Sequence, residues 1–462
     1  MSELSEKLLS KKENSFGIAA DEERVEMFSY AEGYKSFLNA AKTEREAVRA
    51  AVSMAAEHGY KPYTFGDTIK AGDRLYYNNR GKNLFLMRVG SAPIETAGVK
   101  ILAAHIDSPR LDLKQCPVYE DSQMCFFKTH YYGGIKKYQW TAIPLALHGT
   151  IVRADGEEIV IHVGEDDGDP IFYINDLLPH LAQKQSREPL GEAIPGEALN
   201  VLVGGMPVSG EDSDAIKLNV LRILNEKYGI VEDDFLSAEI CAVPAMKARD
   251  VGFDRALIAA YGHDDRVCSY PAVTALFDAE DRENTVIVVL ADKEEIGSEG
   301  NTGMQSVVLD DILNELSLSL GANPRLVRAA SACLSADVTA AYDPNFKEVY
   351  EKANSSLLSC GTALCKYTGA RGKSGSNDAS AEFVGRIRRI FADGKVAWQS
   401  SELGKVDAGG GGTVAKFISK MNIDTVDIGV PVLSMHAPYE VVSKADLYAT
   451  YRAFVSFINA CN

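Results

Sequence analysis

Residues 99–108 read VKILAAHIDS, a largely apolar run that stops abruptly at the polar cluster His105-Ile106-Asp107-Ser108. The pattern recurs four times. Residues 257–261 (LIAAY) end in GHDDR at 262–266, and residues 286–290 (VIVVL) end in ADKEE at 291–295. Residues 329–334 (AASACL) end in SAD at 335–337, and residues 426–433 (VDIGVPVL) end in SMH at 434–436. Short apolar runs without alternation are what strands of a parallel sheet need when both of its faces are covered. The pattern predicts an α/β fold, with helical stretches following the strands. In open α/β sheets ligands bind beyond the carboxyl ends of the strands, where these five clusters sit.

Outward from this frame, the first sixty residues predict two helices. One is capped by Asp21, and the other opens on a capping box of Thr43 with Glu46. Strand-like runs at 74–77 and 84–89 flank a turn at 78–81. Between 111 and 251 the texture changes. Residues 149–163 alternate around Asp155-Gly156, a two-residue hairpin signal, and Pro, Gly and charged loops are dense at 164–170, 188–195 and 204–214. This predicts a β-rich domain (111–251) inserted into an α/β domain made of 1–110 plus 252–462. A final helix over 443–458, with its own N-cap, carries the apolar stripe Leu447, Tyr451, Phe454 and Phe457.

The 462 residues carry 48 Lys+Arg against 65 Asp+Glu, a net charge of −17, which argues against nucleic acid or an anionic membrane as partner. The polar start MSELSEKLLSKKENSF lacks the apolar core of a signal peptide, and no apolar run is long enough to span a bilayer. The eight cysteines are scattered without a C-x-x-C pair, so the expectation is reduced thiols in a cytoplasmic protein. No G-x-S-x-G elbow or recognisable cysteine-nucleophile motif occurs. The glycine run at 409–412 lacks the Gly-Lys-Ser/Thr ending of a phosphate loop.

Singly, the five clusters say little, since a Glu-Glu pair or an Asp-Asp-Arg loop is usually solvated surface. Together, five strands deliver hard-metal ligands at one end. A pair of divalent ions about 3.5–4 Å apart needs such an inventory, with one carboxylate shared. Imidazole and carboxylate suit zinc, manganese or cobalt. In Glu294-Glu295 one carboxylate can bind metal while its neighbour takes a proton. Asp107, two residues after His105 on an extended segment, shares its face and can accept the second imidazole N–H. His263, Asp343 and Tyr131-Tyr132-Gly133-Gly134 stand out without an assignable role.

The segments HIDSPRLDLK (105–114), GHDDRVCS (262–269), ADKEEIGS (291–298), SADVTAAYDPN (335–345) and VPVLSMHAPYE (430–440) resemble, in order and spacing, those of the two-zinc aspartyl aminopeptidase and aminopeptidase I family. The resemblance implies a phosphorylase/hydrolase-like catalytic domain interrupted by a β-rich dimerisation domain. It also implies dimers that assemble into a tetrahedral dodecamer. It implies two zinc ions, or manganese or cobalt in their place: His105 and Asp337 on one, Glu295 and His436 on the other, and Asp264 bridging both. Glu294 becomes the general base that takes a proton from the metal-bridging water, and Asp107 orients His105. The substrates implied are peptides with a free N-terminus, cut at the first peptide bond.

Three further assignments follow from the same resemblance. His180, in DLLPHLA (176–182), reaches into a neighbouring subunit and stabilises the oxyanion. Lys366 faces an acidic substrate side chain, and Gly410 and Gly411 line the substrate pocket. A surface histidine, a surface lysine and a plain flexible turn are the alternative readings of these residues. Two other functions stay open. One is a two-metal deacylase of acylated amino acids or peptides, separable because blocked substrates would be good for it and inert for an aminopeptidase. The other is a non-catalytic assembly protein of the same fold, against which the intact Glu294 and complete ligand set weigh.

Overall fold

The computed structural model describes residues 3–461. A nine-stranded sheet forms its centre, in the order Lys61–Pro62, Arg74–Asn79, Asn83–Arg88, Thr285–Ala291, Val99–His105, Ala332–Ala336, Asp424–Gly429, Thr362–Cys365, Trp398–Ser400. The four middle strands, from Thr285–Ala291 to Asp424–Gly429, run parallel. Every residue of Val99–His105 and Thr285–Ala291 is buried, as their unalternating apolar sequence requires. Successive side chains leave for opposite faces. Leu102, Ala104, Val286 and Val288 pack on one side with Phe383 and Phe454, from helices Ala381–Asp393 and Lys444–Asn459. Ile101, Ala103, Ile287 and Val289 pack on the other with Leu309, Leu313 and Val327, from helices Val308–Ser319 and Pro324–Ala330.

A second sheet has six antiparallel strands, in the order Glu158–Val163, Leu145–Val152, Ala238–Pro244, Arg110–Asp121, Met124–Tyr132, Val201–Gly204. It has a core of its own, including Leu111, Phe127, Trp140, Ile151, Val201 and Phe235. A third, five-stranded sheet joins Arg249–Val251, Leu257–Ala260, Glu440–Ser443, Pro431–Leu433 and Thr339–Ala340. The molecule is a mixed α/β structure of several sheets.

Two of the five apolar runs depart from the single-sheet expectation. Leu257–Ala260 pairs antiparallel with Glu440–Ser443 in the third sheet, because an unalternating run reports burial on both faces and not the direction of its partner. The run 426–433 is divided. Asp424–Gly429 belongs to the central sheet, and Pro431–Leu433 pairs in the third. Pro431 has no N–H for a ladder and restricts Val430, and the chain changes sheets there.

Other differences are local. Thr43 and Glu46 form the capping box on helix Glu44–Glu57. Asp21 lies inside the first turn of helix Asp21–Ala40, whose N-cap, Ala20, makes no side-chain bond. Ser443 caps the last helix, accepting from Ala445 N. The hairpin turn is longer than two residues. Val152 and Glu158 are its last ladder pair, Arg153 N donates to Glu157 O at 2.9 Å, and Gly156 sits at φ +88°. All eight cysteines are free and six are buried. No helix among the described residues is long and apolar enough to cross a membrane.

Candidate metal centre

Three parallel strands of the central sheet end at the site. His105 is the last residue of Val99–His105, Asp337 follows Ala332–Ala336, and Glu294 and Glu295 form a 3-10 turn three residues after Thr285–Ala291. The other two residues come from the third sheet. Asp264 opens helix His263–Asp278 behind Leu257–Ala260, and His436 follows Pro431–Leu433. The junction before Asp264 requires glycine. Gly262 lies at φ +77°, and a Cβ there would fall 1.8 Å from a guanidinium nitrogen of Arg266. That buried guanidinium ties the junction to the backbone carbonyls of Lys42 and Ile106.

Five of these six residues, all but Glu294, make close mutual contacts. His105 Nε2 lies 3.1 Å from Asp264 Oδ1 and 3.6 Å from Asp337 Oδ1. His436 Nε2 lies 3.2 Å from Asp264 Oδ2 and 3.5 Å from Glu295 Oε2. The Asp264 carboxylate thus stands between two imidazoles and offers one oxygen to each. The partners of the other ring nitrogens set the tautomers. His105 Nδ1 donates to the Asp107 carbonyl at 3.1 Å, and His436 Nδ1 donates to the Gly134 carbonyl at 2.8 Å. In the neutral rings both Nε2 lone pairs therefore face carboxylate oxygens, an arrangement that only positive charge between them makes favourable.

The donor set fits a cation. Asp264 Oδ1 and Glu295 Oε1 are buried without a hydrogen-bond partner, as is Asp265 Oδ1 beside them. Asp265 clusters with His105 and Asp337, and Asp264 with His105 and Glu295, at distances a metal ion can span. Nitrogen and oxygen ligands about 2.0–2.1 Å from a tetrahedral ion lie about 3.3–3.4 Å from one another. The four contacts above bracket that value.

The electrostatics agree. Burial, reinforced by the Asp337 charge, pushes the Glu294 carboxyl up to about 8, and burial with the Asp264 charge pushes Glu295 well above the carboxylate range. Burial also raises Asp337. Asp264 moves the other way: the two imidazoles overcome its burial and hold it well below the usual range. Against its own burial, His436 is pushed up to about 10 by Asp264 and Glu295. Concentrated negative charge of this kind is what a divalent cation neutralises.

Around the cage, fully buried Asp107 collects donors. Oδ1 accepts from Glu294 N (3.1 Å) and lies 3.3 Å from His105 Nδ1, while Oδ2 accepts from Glu295 N (3.1 Å) and Tyr132 OH (2.8 Å). Glu440 works in parallel on the opposite side. Its Oε2 accepts from Asp264 N at 3.1 Å and its Oε1 from His436 N at 2.8 Å. Sequence reasoning passed over Glu440 and Asp265 and gave Tyr132 no role. Glu440 and Asp265 stand in quoted stretches with no signal beyond adjacency to an assigned residue, and Tyr132 stands out only through its Tyr-Tyr-Gly-Gly stretch. His263 is structural: Tyr34 OH and the Ile258 carbonyl bond its two nitrogens. Asp343 accepts from Asn345 N and caps a turn.

A cavity of about 320 Å³ opens beside the cage, lined by Glu294, Glu295, Asp337, Gly410, Gly411 and Met435 among others. At Gly410 (φ +135°) a Cβ would meet the Ala370 backbone at 2.5 Å. Lys366 does not line this cavity. It pairs with Asp378, and its side chain is 43% exposed. His180 lies on an exposed turn and also stands outside the lining.

The chain matches the family described as aminopeptidase I zinc metalloprotease (M18) over residues 37–458. It is 47% identical to a probable M18 family aminopeptidase 1 of Clostridium acetobutylicum over 461 residues, covering 98% of this chain and 99% of that one. The crystal structure of an M18 family aminopeptidase from Thermotoga maritima superposes with a TM-score of 0.93 at 44% identity, covering 97% of this chain and 99% of that one. The fold extends to the S. cerevisiae mApe1 dodecamer, with a TM-score of 0.75 at 20% identity, covering 93% and 96% of the two chains. The chain belongs to the M18 family of aminopeptidase I zinc metalloproteases and is a zinc-dependent aminopeptidase.

Proposed function

We propose that the protein removes N-terminal residues from peptides at a centre of two divalent ions, zinc with manganese or cobalt as substitutes. His105, Asp337 and one oxygen of Asp264 would hold one ion, and His436, Glu295 and the other oxygen of Asp264 the second. The observation that carries this reading is the Asp264 carboxylate set between two imidazoles at 3.1 and 3.2 Å. Bound ions of this kind polarise a carbonyl and lower the pKa of water.

The remaining work falls to the chain. Glu294 has no role as a ligand in this scheme, and its carboxyl lines the cavity beside the cage, where it can take a proton from the attacking water and return it to the leaving amine. Asp107 fixes the His105 tautomer and, through two backbone N–H groups, the turn that carries Glu294. The substrate's first side chain would enter the cavity over Gly410 and Gly411, against Val338 and Met435. Among the described residues lining it no lysine or arginine occurs, so the reading favours uncharged over acidic first residues.

In this reading, residues 1–110 plus 252–462 form a phosphorylase/hydrolase-like catalytic domain, supported by four parallel strands with helices on both faces. Residues 111–251, with a sheet and core of their own, form the dimerisation domain. The dodecamer of the yeast relative supports a homo-oligomer, a tetrahedral dodecamer of dimers, in which His180 serves a neighbour's site. Eight unpaired thiols suit the reducing cytoplasm.

Glu294→Gln tests the centre. Metal content should stay near wild type while turnover falls by about 10²–10⁴-fold, the usual worth of a positioned general base. Wild-type turnover would remove Glu294 from the role.

A further inference from the structure

Outside the catalytic cage, the hairpin of the second sheet sets His148 directly opposite His162, with ring centroids 4.4 Å apart. Glu165, just past the second strand, turns back over the pair with only 6% of its side chain exposed. Its Oε2 lies 3.4 Å from His148 Nε2 and 3.5 Å from His162 Nε2. Lys42 Nζ lies 3.1 Å from Oε1 as an ion pair, and Oε2 faces the imidazoles. Behind the pair, Glu46 Oε1 accepts from His148 Nδ1 at 2.8 Å. A carboxylate can only accept, so Nδ1 carries the proton and the buried Nε2 lone pair is left without a hydrogen-bond partner.

We infer that His148, His162 and Glu165 form a second metal site, one that takes a divalent transition ion such as zinc or cobalt and shares no ligand with the catalytic cage. The contacts of 3.4 and 3.5 Å match the ligand–ligand edges of a tetrahedral ion, about 3.3–3.4 Å. Two imidazoles and a carboxylate are a donor set that zinc accepts with a fourth position open, and His162, 48% exposed, puts that position at the surface. Glu46 supplies the carboxylate that orients a metal-binding histidine through its far nitrogen. The ion would be structural. The histidines belong to the second sheet and Glu46 to helix Glu44–Glu57, so the cluster staples one to the other.

The competing arrangement holds no ion and makes His148 an imidazolium between Glu46 and Glu165. Elemental analysis of the full-length protein decides between them. The protein is stripped with a chelator, reloaded with zinc or cobalt at pH 8 and desalted. His162→Ala changes one half-exposed side chain and should bind one ion fewer per chain than wild type, with the corresponding loss of visible absorption from tetrahedral cobalt and turnover within about twofold. Glu165→Gln should lose the same ion. Equal stoichiometry and identical cobalt spectra in wild type and both variants would overturn the site. Asp264→Asn separates this outcome from the catalytic centre: it should empty that centre while keeping the ion that depends on His162.

Discussion

Asp107→Asn tests whether one buried carboxylate positions both the base and a ligand. The substitution keeps shape and volume but replaces two accepting oxygens with one. Four donors meet Asp107: Glu294 N, Glu295 N, His105 Nδ1 and Tyr132 OH. If the amide oxygen stays with Glu294 and His105, the new NH₂ faces Glu295 N and Tyr132. The tyrosine hydroxyl can rotate and accept from it, but the backbone N–H cannot. One buried N–H is orphaned, at about 1–3 kcal/mol, and His105 loses the negative charge 3.3 Å from Nδ1, about 1 kcal/mol more, while its bond to the backbone carbonyl of residue 107 remains. The sum, about 2–4 kcal/mol, falls on the turn carrying Glu294 and Glu295. At 1.36 kcal/mol per decade this is about 30- to 1,000-fold, divided between turnover and metal affinity. Metal affinity should drop by no more than about tenfold, the low end of an orienting-partner loss, because the carbonyl that bonds His105 Nδ1 is kept. The assay pairs a metal titration followed by elemental analysis with kcat at saturating metal. Tyr132→Phe, which removes one donor and orphans nothing but an oxygen lone pair, should change kcat less than about fivefold. An Asp107→Asn enzyme with wild-type kcat and metal affinity would refute the positioning argument.

Three further expectations are independent of that one. Asp264→Asn should lose both catalytic ions together with activity, and elemental analysis showing two ions retained there would remove Asp264 from the bridge. His180→Phe should lower kcat without changing metal content, because the residue is exposed in the single chain and would act only across an oligomer interface; an unchanged rate in the assembled enzyme would return it to the surface. Asp250 binds Lys35, Lys444 and Arg255 at 2.9, 2.9 and 2.7 Å, and Lys444 is 1% exposed. Although burial opposes it, these three cations hold the Asp250 carboxyl below its ordinary range. Its stabilisation is thus present above the unfolded pKa, about 3.9, and lost as pH falls towards the folded value. Asp250→Asn should cost about 1.5–3 kcal/mol at neutral pH, since it leaves the buried Lys444 ammonium only the Glu32 carboxylate, 4.0 Å away. It should also flatten acid unfolding below pH 4, and a denaturation midpoint equal to wild type would contradict this.

Much of the frame was legible in the sequence because burial on both faces writes itself as an apolar run, and a strand end at a site writes itself as a sudden polar stop. That signal is blind to pairing partners. It assigned Leu257–Ala260 and Pro431–Leu433 to the central sheet, although both lie in the third. The error displaced none of the clusters, because the third sheet meets the central one at the strand ends. The roles of Glu440 and Tyr132 stayed hidden for a different reason. They act through a backbone N–H or a distant carboxylate, Glu440 reaching Asp264 across 176 residues, and nothing in a local pattern distinguishes such a carboxylate from a solvated one.

The His148–His162 pair shows how a small local misreading conceals chemistry. A two-residue turn at 155–156 pairs residue 154 with 157 and therefore 148 with 163. In that register His162 points to the opposite face, away from His148, and the two histidines have nothing in common. The actual loop adds a residue: Gly156 takes a left-handed conformation, Val152 pairs with Glu158, and the register moves by one. Because side chains alternate with a period of two, that single step brings His162 to the face where His148 and Glu165 meet. The turn thus sets the metal geometry, and Gly156→Ala supplies a test at a distance. The strain of a left-handed alanine should weaken cobalt binding at this site while leaving the catalytic ions in place, and unchanged cobalt affinity in that variant would break the link between turn and site.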